Sequence, residues 1–183
     1  MRWKQCYCNF DEVELPRTGN TFINMIDFRK FHIETITEEA KMRINAVKKF
    51  DNNHPVMLHT VPMPCFNAVN ACSDEFELAT LCDCFGNSVG SQPFPAVLGI
   101  SAAENKTVIN AEIHAFGGNT NVNFNNIDFN EYKRHVLIPL SLGVKGFLFW
   151  QYRAELAGFE SPAWGMTKLN GEDSIRTQYA EKL

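Results

Sequence analysis

The chain has 183 residues, of which 45% are hydrophobic, and its formal net charge is -4. A chain of this length can form one domain with a sizeable core, and its mildly acidic balance gives no electrostatic reason to expect a nucleic-acid partner. The start lacks the layout of a signal peptide, and the longest apolar tract, residues 137–150, is interrupted by Pro139, Ser141 and Lys145. The sequence therefore favours a soluble, cytoplasmic protein with no membrane partner.

The cysteines give no clear sign of a metal or redox site. They occur as two C-x-C pairs and two single residues: Cys6 and Cys8, Cys82 and Cys84, Cys65, and Cys72. None has the C-x-x-C spacing of zinc knuckles and thioredoxin sites. Residues i and i+2 of a strand share a face, so a metal site is geometrically possible, but free thiols in a reducing compartment are the favoured interpretation. We expect no cofactor.

Helix and strand signals alternate along the chain. The pattern Thr35-x-x-Glu38 is typical of a capping box and predicts the start of the first helix. The apolar stripe of this helix consists of Ile36, Ala40, Ile44 and Val47. A strand over 54–59 is predicted to follow it.

The same alternation continues with a helix over 76–81, a strand over 83–88, a helix over 95–103 and a strand over 107–115. The pattern Asp128-x-x-Glu131 predicts the start of a further helix, which runs to about Leu142 with a bend at Pro139. A near-continuous apolar run, typical of buried parallel strands, predicts the last strand over 146–153.

This alternation predicts a parallel sheet, either in an open doubly wound fold or in part of a (β/α)₈ barrel. No glycine-rich phosphate-binding pattern follows a strand, which removes the main support for a dinucleotide-binding fold. A complete barrel usually needs about 250 residues, and four strand–helix units are half of one. We therefore expect an α/β fold that represents half of a (β/α)₈ TIM-type barrel.

The strand over 107–115 carries the most informative polar pattern. Strict alternation along it places Asn110, Glu112 and His114 on one face and its apolar residues on the other. Barrel enzymes place catalytic groups near the carboxyl ends of their strands. The pattern alone leaves two interpretations of Glu112 open, a catalytic carboxylate and a carboxylate in a structural salt bridge.

Polar residues also stand at the ends of the other predicted strands, where His59 and Ser88 lie. In the last strand, Gln151 and Arg153 fall on one face, and Arg153 can either keep a carboxylate ionised or pair structurally with Glu155. For the histidines, hydrogen bonding in the core is favoured over catalysis. Since parallel strands end at one edge of a sheet, we expect these polar groups to gather there.

The chain resembles family 42 glycoside hydrolases, β-galactosidases with a barrel catalytic domain. The order and spacing of the matching blocks make the resemblance specific. These blocks are Trp3-x-Gln5-x-Tyr7, residues 11–17, Asp27-Phe28-x-x-Phe31, Asp51-x-x-His54-Pro55-Val56, Asp83-x-Phe85-Gly86-x-Ser88, Ala111-Glu112-Ile113 with Gly117-Gly118, and residues 143–153 with Glu160-Ser161-Pro162. The resemblance implies that residues 1–183 form part of the catalytic domain, namely strands 5–8 of the barrel.

The resemblance implies a role for each candidate site residue. Glu112 matches the family's catalytic nucleophile, Glu160 matches a glutamate that holds the hydroxyls of galactose, and Trp3 resembles the aromatic wall of that subsite. We also expect Asn110 and Arg153 to contact substrate. Trp164 has two open interpretations, one in which it lines the site and one in which it packs beneath it.

The sequence departs from the family pattern at positions that matter for catalysis. The family usually has Tyr-Pro shortly after the serine of the second strand here, where this chain has residues 89–91, and some members have a sugar-contacting histidine at the position of Ala163. The general acid/base of the family matches no residue of the chain and is expected before Met1. Glu104, Glu131 and Glu155 are poor substitutes for it.

Three functional hypotheses remain at this point. The first is a retaining hydrolase of terminal β-D-galactosides that lacks the half with its acid/base, so that the isolated chain is inactive. The second is a non-catalytic barrel remnant that binds sugar, and the third is a retaining glycosidase for another β-linked or arabinosyl sugar. Because half a barrel leaves strand edges unpaired, self-association or pairing with the missing half is expected.

Overall fold

In the computed structural model, the structure describes residues 7–16, 22–61, 73–89, 93–115, 128–158, 161 and 164–183. Helices and strands alternate through these residues after a 3₁₀ turn at Phe10–Glu12. In chain order they are α1 (Phe22–Lys48), β1 (Met57–Thr60), α2 (Glu75–Leu81), β2 (Cys84–Asn87), α3 (Pro93–Ala103), β3 (Thr107–His114), α4 (Phe129–Leu142), β4 (Gly146–Trp150) and α5 (Ile175–Glu181).

The strands form one parallel sheet in the order β1-β2-β3-β4. Its register pairs His59 with Gly86, Asn87 with Asn110, and Ile109 with Gly146. Each strand therefore lies beside the next strand in sequence, with a helix in each connection, as expected for successive β/α units. The predicted α/β fold class is confirmed.

The first helix begins earlier than the capping-box pattern predicts. Helix α1 starts at Phe22, so Thr35 lies in its interior, where its hydroxyl donates a 2.7 Å hydrogen bond to the carbonyl of Phe31. The prediction of a helix start at Thr35 was wrong because a threonine in mid-helix can bond to the carbonyl four residues before it. Of the predicted stripe, Ala40 and Ile44 are buried, whereas Val47 at the end of the helix is exposed.

One core layer lies between the sheet and helices α1 to α3. Phe85 of β2 and Val108 of β3 are buried in it, and Phe147 of β4 packs against it. Helix α3 approaches β2 closely at Gly99, where a Cβ atom would stand 2.1 Å from the Nδ2 atom of Asn87. Glycine is therefore the residue that allows the helix to lie this near the strand.

Lys106 stabilises the end of helix α2 from the loop before β3. Its Nζ atom donates to the carbonyl oxygens of Ala79, Thr80 and Cys82 at 2.6, 3.0 and 2.8 Å. The last carbonyls of a helix have no partner within the helix, and a cation there also interacts favourably with the helix dipole. This contact fixes the loop from which β3 begins.

Asp83 joins the ends of α1, β1 and β2. Its carboxylate accepts from Lys48 at 2.6 Å and from the backbone N–H of Val56 at 2.7 Å. The bond from Lys48, and then that from Val56, lower the pKa of Asp83. Asp83 thus links the starts of β1 and β2 to the end of helix α1.

Helix α4 begins at the predicted residue, with Asp128 as its N-cap, accepting from the N–H of Asn130 at 2.9 Å. The carboxylate of Glu131, three residues after this N-cap, lies 3.2 Å from Nε2 of His135. Tyr132 is buried in a second core cluster with Ala115 and Met166, and burial raises its pKa to about 12.

Helix α5 was not predicted from the sequence. Ser174 is its N-cap and forms a capping box with Thr177. Arg176 of this helix is fully buried and donates to the carbonyl of Gly165 at 2.9 Å. Removal from water lowers the pKa of Arg176 to about 10. The helix therefore supports the segment that follows β4.

None of the helices in the described residues is long and apolar enough to cross a bilayer. Cys82 and Cys84, one of the two C-x-C pairs, are described: Cys82 is buried after α2, and Cys84 begins β2. Burial raises the pKa of both thiols. Among the residues that the structure describes, no group of three or more His, Cys, Asp or Glu side chains is arranged to hold a metal ion.

Candidate active site

Strand β3 contains one residue more than its neighbour β4 between two paired positions. Asn110 pairs with Phe147 and Ile113 pairs with Phe149, so three steps along β3 correspond to two steps along β4. Ala111 and Glu112 therefore lie together opposite Leu148, as in a β-bulge. Such bulges change the direction of side chains locally, and this one lies at the candidate nucleophile.

The bulge overturns the prediction that Asn110 shares a face with Glu112. Asn110 is fully buried, and its side-chain amide accepts from the N–H of Val89 at 3.2 Å and donates to the carbonyl of Val89 at 2.8 Å. It lies on the helix-covered side of the sheet, as Val108 does. The prediction of Asn110 as a substrate contact was wrong because strict alternation does not hold through a bulge, and its amide is used by the Val89 backbone.

Glu112 lies on the opposite side of the sheet, near the carboxyl end of β3. Its Oε1 atom is 3.3 Å from Nε2 of His114, and its Oε2 atom is 3.8 Å from Nε2 of His59. The side chains of His59, Glu112 and His114 are 32%, 31% and 33% exposed. The carboxylate of Glu112 thus has one histidine nitrogen near each of its oxygens, and it is accessible to solvent.

The two histidines come from different strands. His59 belongs to β1, two strands away from β3, and its Nε2 atom is also 2.9 Å from the hydroxyl oxygen of Ser88, just beyond β2. The structure therefore brings together the polar ends of β1, β2 and β3. Both histidines were expected to make hydrogen bonds in the core, but they stand partly exposed beside Glu112. Their position at the polar strand ends was the signal in the sequence.

Trp164 packs against His114, one of the two histidines beside the carboxylate. It is buried, and its ring stacks on that of His114 with the centroids 3.9 Å apart and the planes 17° from parallel. Its carbonyl accepts from the N–H of Gln151 at 3.1 Å, and the next carbonyl, of Gly165, accepts from Arg176. The described contacts favour the interpretation in which Trp164 supports a site residue.

The backbone leaves the sheet earlier than predicted after β4. The strand ends at Trp150, which a cis peptide bond joins to Gln151, and the next residues pair with the segment from Trp164 to Thr167. The prediction that the strand extends to Arg153 was wrong, since the backbone of Arg153 pairs with Thr167. The Arg153 side chain is exposed, and in the described part of the chain no ion pair joins it to a carboxylate.

Two predicted substrate contacts, Trp3 and Glu160, lie outside the described residues, and so does Ala163. The described part of the site consists of a carboxylate with imidazole nitrogen atoms at each oxygen and a solvent-accessible side. A carboxylate that is accessible in this way can attack an electrophilic carbon.

Comparison with known proteins places the chain in a family. The family model for glycoside hydrolase family 42, described as β-galactosidase, matches residues 1–183. A comparison with curated proteins found no match.

Solved structures of β-galactosidases are similar to the chain in fold. The enzyme from Bacillus circulans sp. alkalophilus gives a TM-score of 0.78 at 15% identity, covering 98% of this chain and 28% of that chain. The enzyme from the Antarctic haloarchaeon Halorubrum lacusprofundi gives 0.74 at 14% identity, covering 97% and 30%. The enzyme from the psychrophilic Marinomonas ef1 gives 0.72 at 14% identity, covering 95% and 30%.

At these identities the likeness shows the fold alone, which is that of one part of a (β/α)₈ barrel. The chain spans less than a third of the length of these solved structures, between 28% and 30%. The expected barrel-type architecture is confirmed, and the activity of the chain is a separate question.

Proposed function

Because the chain belongs to glycoside hydrolase family 42, we propose that it carries the nucleophile of a retaining β-galactosidase reaction, and that this nucleophile is Glu112. The observation that supports the proposal is the position of Glu112 at the polar edge of the sheet, with an imidazole nitrogen near each carboxylate oxygen. Its side chain is accessible from the side where no described helix covers the sheet. A nucleophile requires both the negative charge and the access.

The reaction proceeds in two steps. A carboxylate oxygen of Glu112 attacks the anomeric carbon of a terminal β-D-galactoside, and the bond to the leaving oxygen breaks while a second carboxyl group protonates that oxygen. Water then attacks the anomeric carbon of the galactosyl ester, gives its proton to the second carboxylate, and releases galactose with retained configuration. No metal or organic cofactor enters this scheme.

The second carboxyl group is proposed to come from another part of the catalytic domain. In a retaining glycosidase the two carboxyl groups lie about 5–5.5 Å apart across the scissile bond. We propose that residues 1–183 supply barrel strands 5–8 and that the acid/base stands on the complementary strands. The complementary half, or a second copy of the chain, would cover the open side of the sheet.

We further propose that Trp3 and Glu160 contact galactose. Trp3 would pack against the apolar face of the ring, and Glu160 would accept from its hydroxyl groups. Arg153, whose side chain is exposed just beyond β4, is proposed as a further contact. The cytoplasmic location stays a prediction.

A mechanism-based 2-fluoro-galactoside tests the role of Glu112. The fluorine slows hydrolysis of the ester, so the labelled peptide can be identified by mass spectrometry. In the complete enzyme we expect one label on the peptide that contains Glu112, and no label in the Glu112→Gln variant. The Glu155→Gln variant is the control and should be labelled normally. Labelling of another carboxylate would contradict the assignment.

A non-catalytic sugar-binding role is the second candidate, because residues 89–91 depart from the Tyr-Pro pattern of the family. Hydrolysis of a nitrophenyl galactoside separates the two roles. We expect little or no turnover from the isolated chain and turnover once the complementary half is present. Galactose binding without turnover in the complete protein would favour the second candidate. Parallel assays with arabinosyl and other β-linked substrates test the choice of sugar.

A further inference from the structure

We propose that His59 and His114 are positioning residues that together hold the carboxylate of Glu112, with one imidazole at each oxygen. The inference rests on the proposed nucleophilic role of Glu112 and deepens it. Here the term histidine clamp denotes His59, His114 and the two oxygens that they face. The clamp joins β1 to β3 across the intervening strand β2.

The direction of the imidazole rings supports the clamp. In both histidines the nitrogen nearest to Glu112 is Nε2, at 3.8 Å for His59 and 3.3 Å for His114. A nitrogen lone pair directed at a carboxylate would be repelled, whereas an N–H group is attracted. The proposal therefore places a proton on Nε2 of each ring, in either the neutral or the charged imidazole.

Each ring is held by a contact that does not involve Glu112. His59 is fixed by Ser88, whose hydroxyl oxygen is 2.9 Å from its Nε2 atom. His114 is fixed by stacking on the buried ring of Trp164, at 3.9 Å between the centroids. Because the rings are oriented before substrate arrives, they can restrict rotation of the carboxylate at little cost during the reaction.

The same geometry excludes Ser88 as a serine nucleophile. In a Ser-His-acid triad, the serine contacts one ring nitrogen and the carboxylate contacts the other. Here Ser88 and Glu112 both face Nε2 of His59. Ser88 therefore orients the ring of His59, and the chemistry stays with the carboxylate.

The two histidines lie at different distances from the carboxylate of Glu112, and we assign different roles to its two oxygens on this basis. Oε1 is nearer to its histidine, at 3.3 Å from His114, than Oε2 is to His59, at 3.8 Å. The clamp therefore assigns Oε1 to anchoring and leaves Oε2 as the attacking oxygen. His114 should accordingly matter more than His59 for the rate of ester formation.

Nitrogen NMR of the full chain labelled with ¹⁵N-histidine tests the clamp without any need for catalysis. Long-range ¹H–¹⁵N spectra show which ring nitrogen carries the proton. We expect a proton on Nε2 of both His59 and His114, and changed ring signals for both in Glu112→Gln. The control Glu131→Gln should change His135, which it faces at 3.2 Å, and leave the clamp signals in place. The proposal would be overturned by an unprotonated Nε2 in either ring, or by ring signals that do not change in Glu112→Gln.

The rate of labelling by the 2-fluoro-galactoside in the complete enzyme supplies the functional readout. His114→Phe keeps a ring against Trp164 but removes the N–H, and we expect it to lower the maximal labelling rate at least about tenfold. His114→Gln restores an N–H near the same place and should recover part of the loss. The reagent concentration for half-maximal rate should stay unchanged in both variants. Equal losses in the two variants, or an effect on that concentration alone, would contradict the clamp.

The two proposals fail in different ways. If the unsubstituted complete enzyme shows no label on Glu112, the proposed nucleophile is wrong, and the NMR result alone decides whether the clamp exists. If Glu112 is labelled but the clamp variants react like the unsubstituted enzyme, the nucleophile stands and the clamp is rejected.

Discussion

Asn110 and Glu112 are two residues apart on one strand, yet the fold uses them in opposite ways. The side-chain amide of Asn110 hydrogen-bonds to both the N–H and the carbonyl of Val89, as the backbone of a neighbouring strand would. Both hydrogen bonds are buried. The carboxylate of Glu112 remains partly open to solvent. The extra residue in β3 separates the two side chains onto different faces.

This assignment predicts that Asn110 matters for stability. In Asn110→Leu, the N–H and carbonyl of Val89 lose their buried partners, and an unsatisfied buried polar group costs about 1–3 kcal/mol. We expect the free energy of unfolding to fall by about 2 kcal/mol or more, measured by urea denaturation. The control Asn130→Ala removes an exposed side chain on α4 and should leave the free energy nearly unchanged. Equal stability of the two variants would contradict the role of Asn110.

The sequence singled out Glu112 as a candidate because a carboxylate near the end of a predicted strand is unusual in a buried sheet. The prediction for Asn110 failed because a bulge depends on how β3 pairs with β4. That pairing joins residues distant in sequence, and the alternation of residues along one strand does not reveal it. The contact of His59 with Glu112 likewise depends on the pairing of β1, β2 and β3. The positions of these residues on the strands were thus predictable, and the directions of their side chains were not.

At the scale of elements, local sequence patterns predicted one helix start correctly and another wrongly. Asp128 caps α4 as predicted, since its side chain has free backbone N–H groups to accept from. Thr35 failed as a helix start because α1 already begins at Phe22, and the hydroxyl of Thr35 bonds to a carbonyl within the helix. The capping pattern of Ser174 and Thr177 was available but precedes a helix of only seven residues, Ile175–Glu181.

The contact of α3 with β2 gives a prediction at the scale of elements. In Gly99→Ala, the new Cβ would stand 2.1 Å from Nδ2 of Asn87, whose bond to the carbonyl of Pro95 must then break or move. Overpacking of this kind typically costs about 1–3 kcal/mol of the free energy of unfolding. A lower midpoint of thermal unfolding, followed by circular dichroism, would show it.

Gly146→Ala is the matched control for this prediction. The atoms nearest to a Cβ at Gly146 belong to Ile109 and lie 3.8 Å away, an ordinary van der Waals distance. We expect Gly146→Ala to unfold within a few degrees of the unsubstituted chain. If Gly99→Ala unfolds at the same temperature as Gly146→Ala, the close approach of α3 to the sheet is not required for stability.

At the scale of the whole molecule, the sheet is covered unequally within the described residues. Phe147 and Phe149 of β4 pack into the two core clusters on the helix side, whereas Leu148 between them is half exposed on the side of Glu112. Among the strands that the structure describes, β1 and β4 lie at the edges of the sheet. An exposed apolar surface together with unpaired strand edges favours association.

We therefore expect the isolated chain to self-associate through the side of the sheet that carries Glu112. Leu148→Lys places a charge at this surface and should shift the mass measured by light scattering after size-exclusion chromatography towards the monomer. Leu140→Lys makes the same change on the exposed face of α4, where Leu140 is 46% exposed compared with 50% for Leu148, and should leave the mass unchanged. A compact monomer without any substitution would contradict the expectation, because the surface beside Glu112 would then be stable in water without a partner.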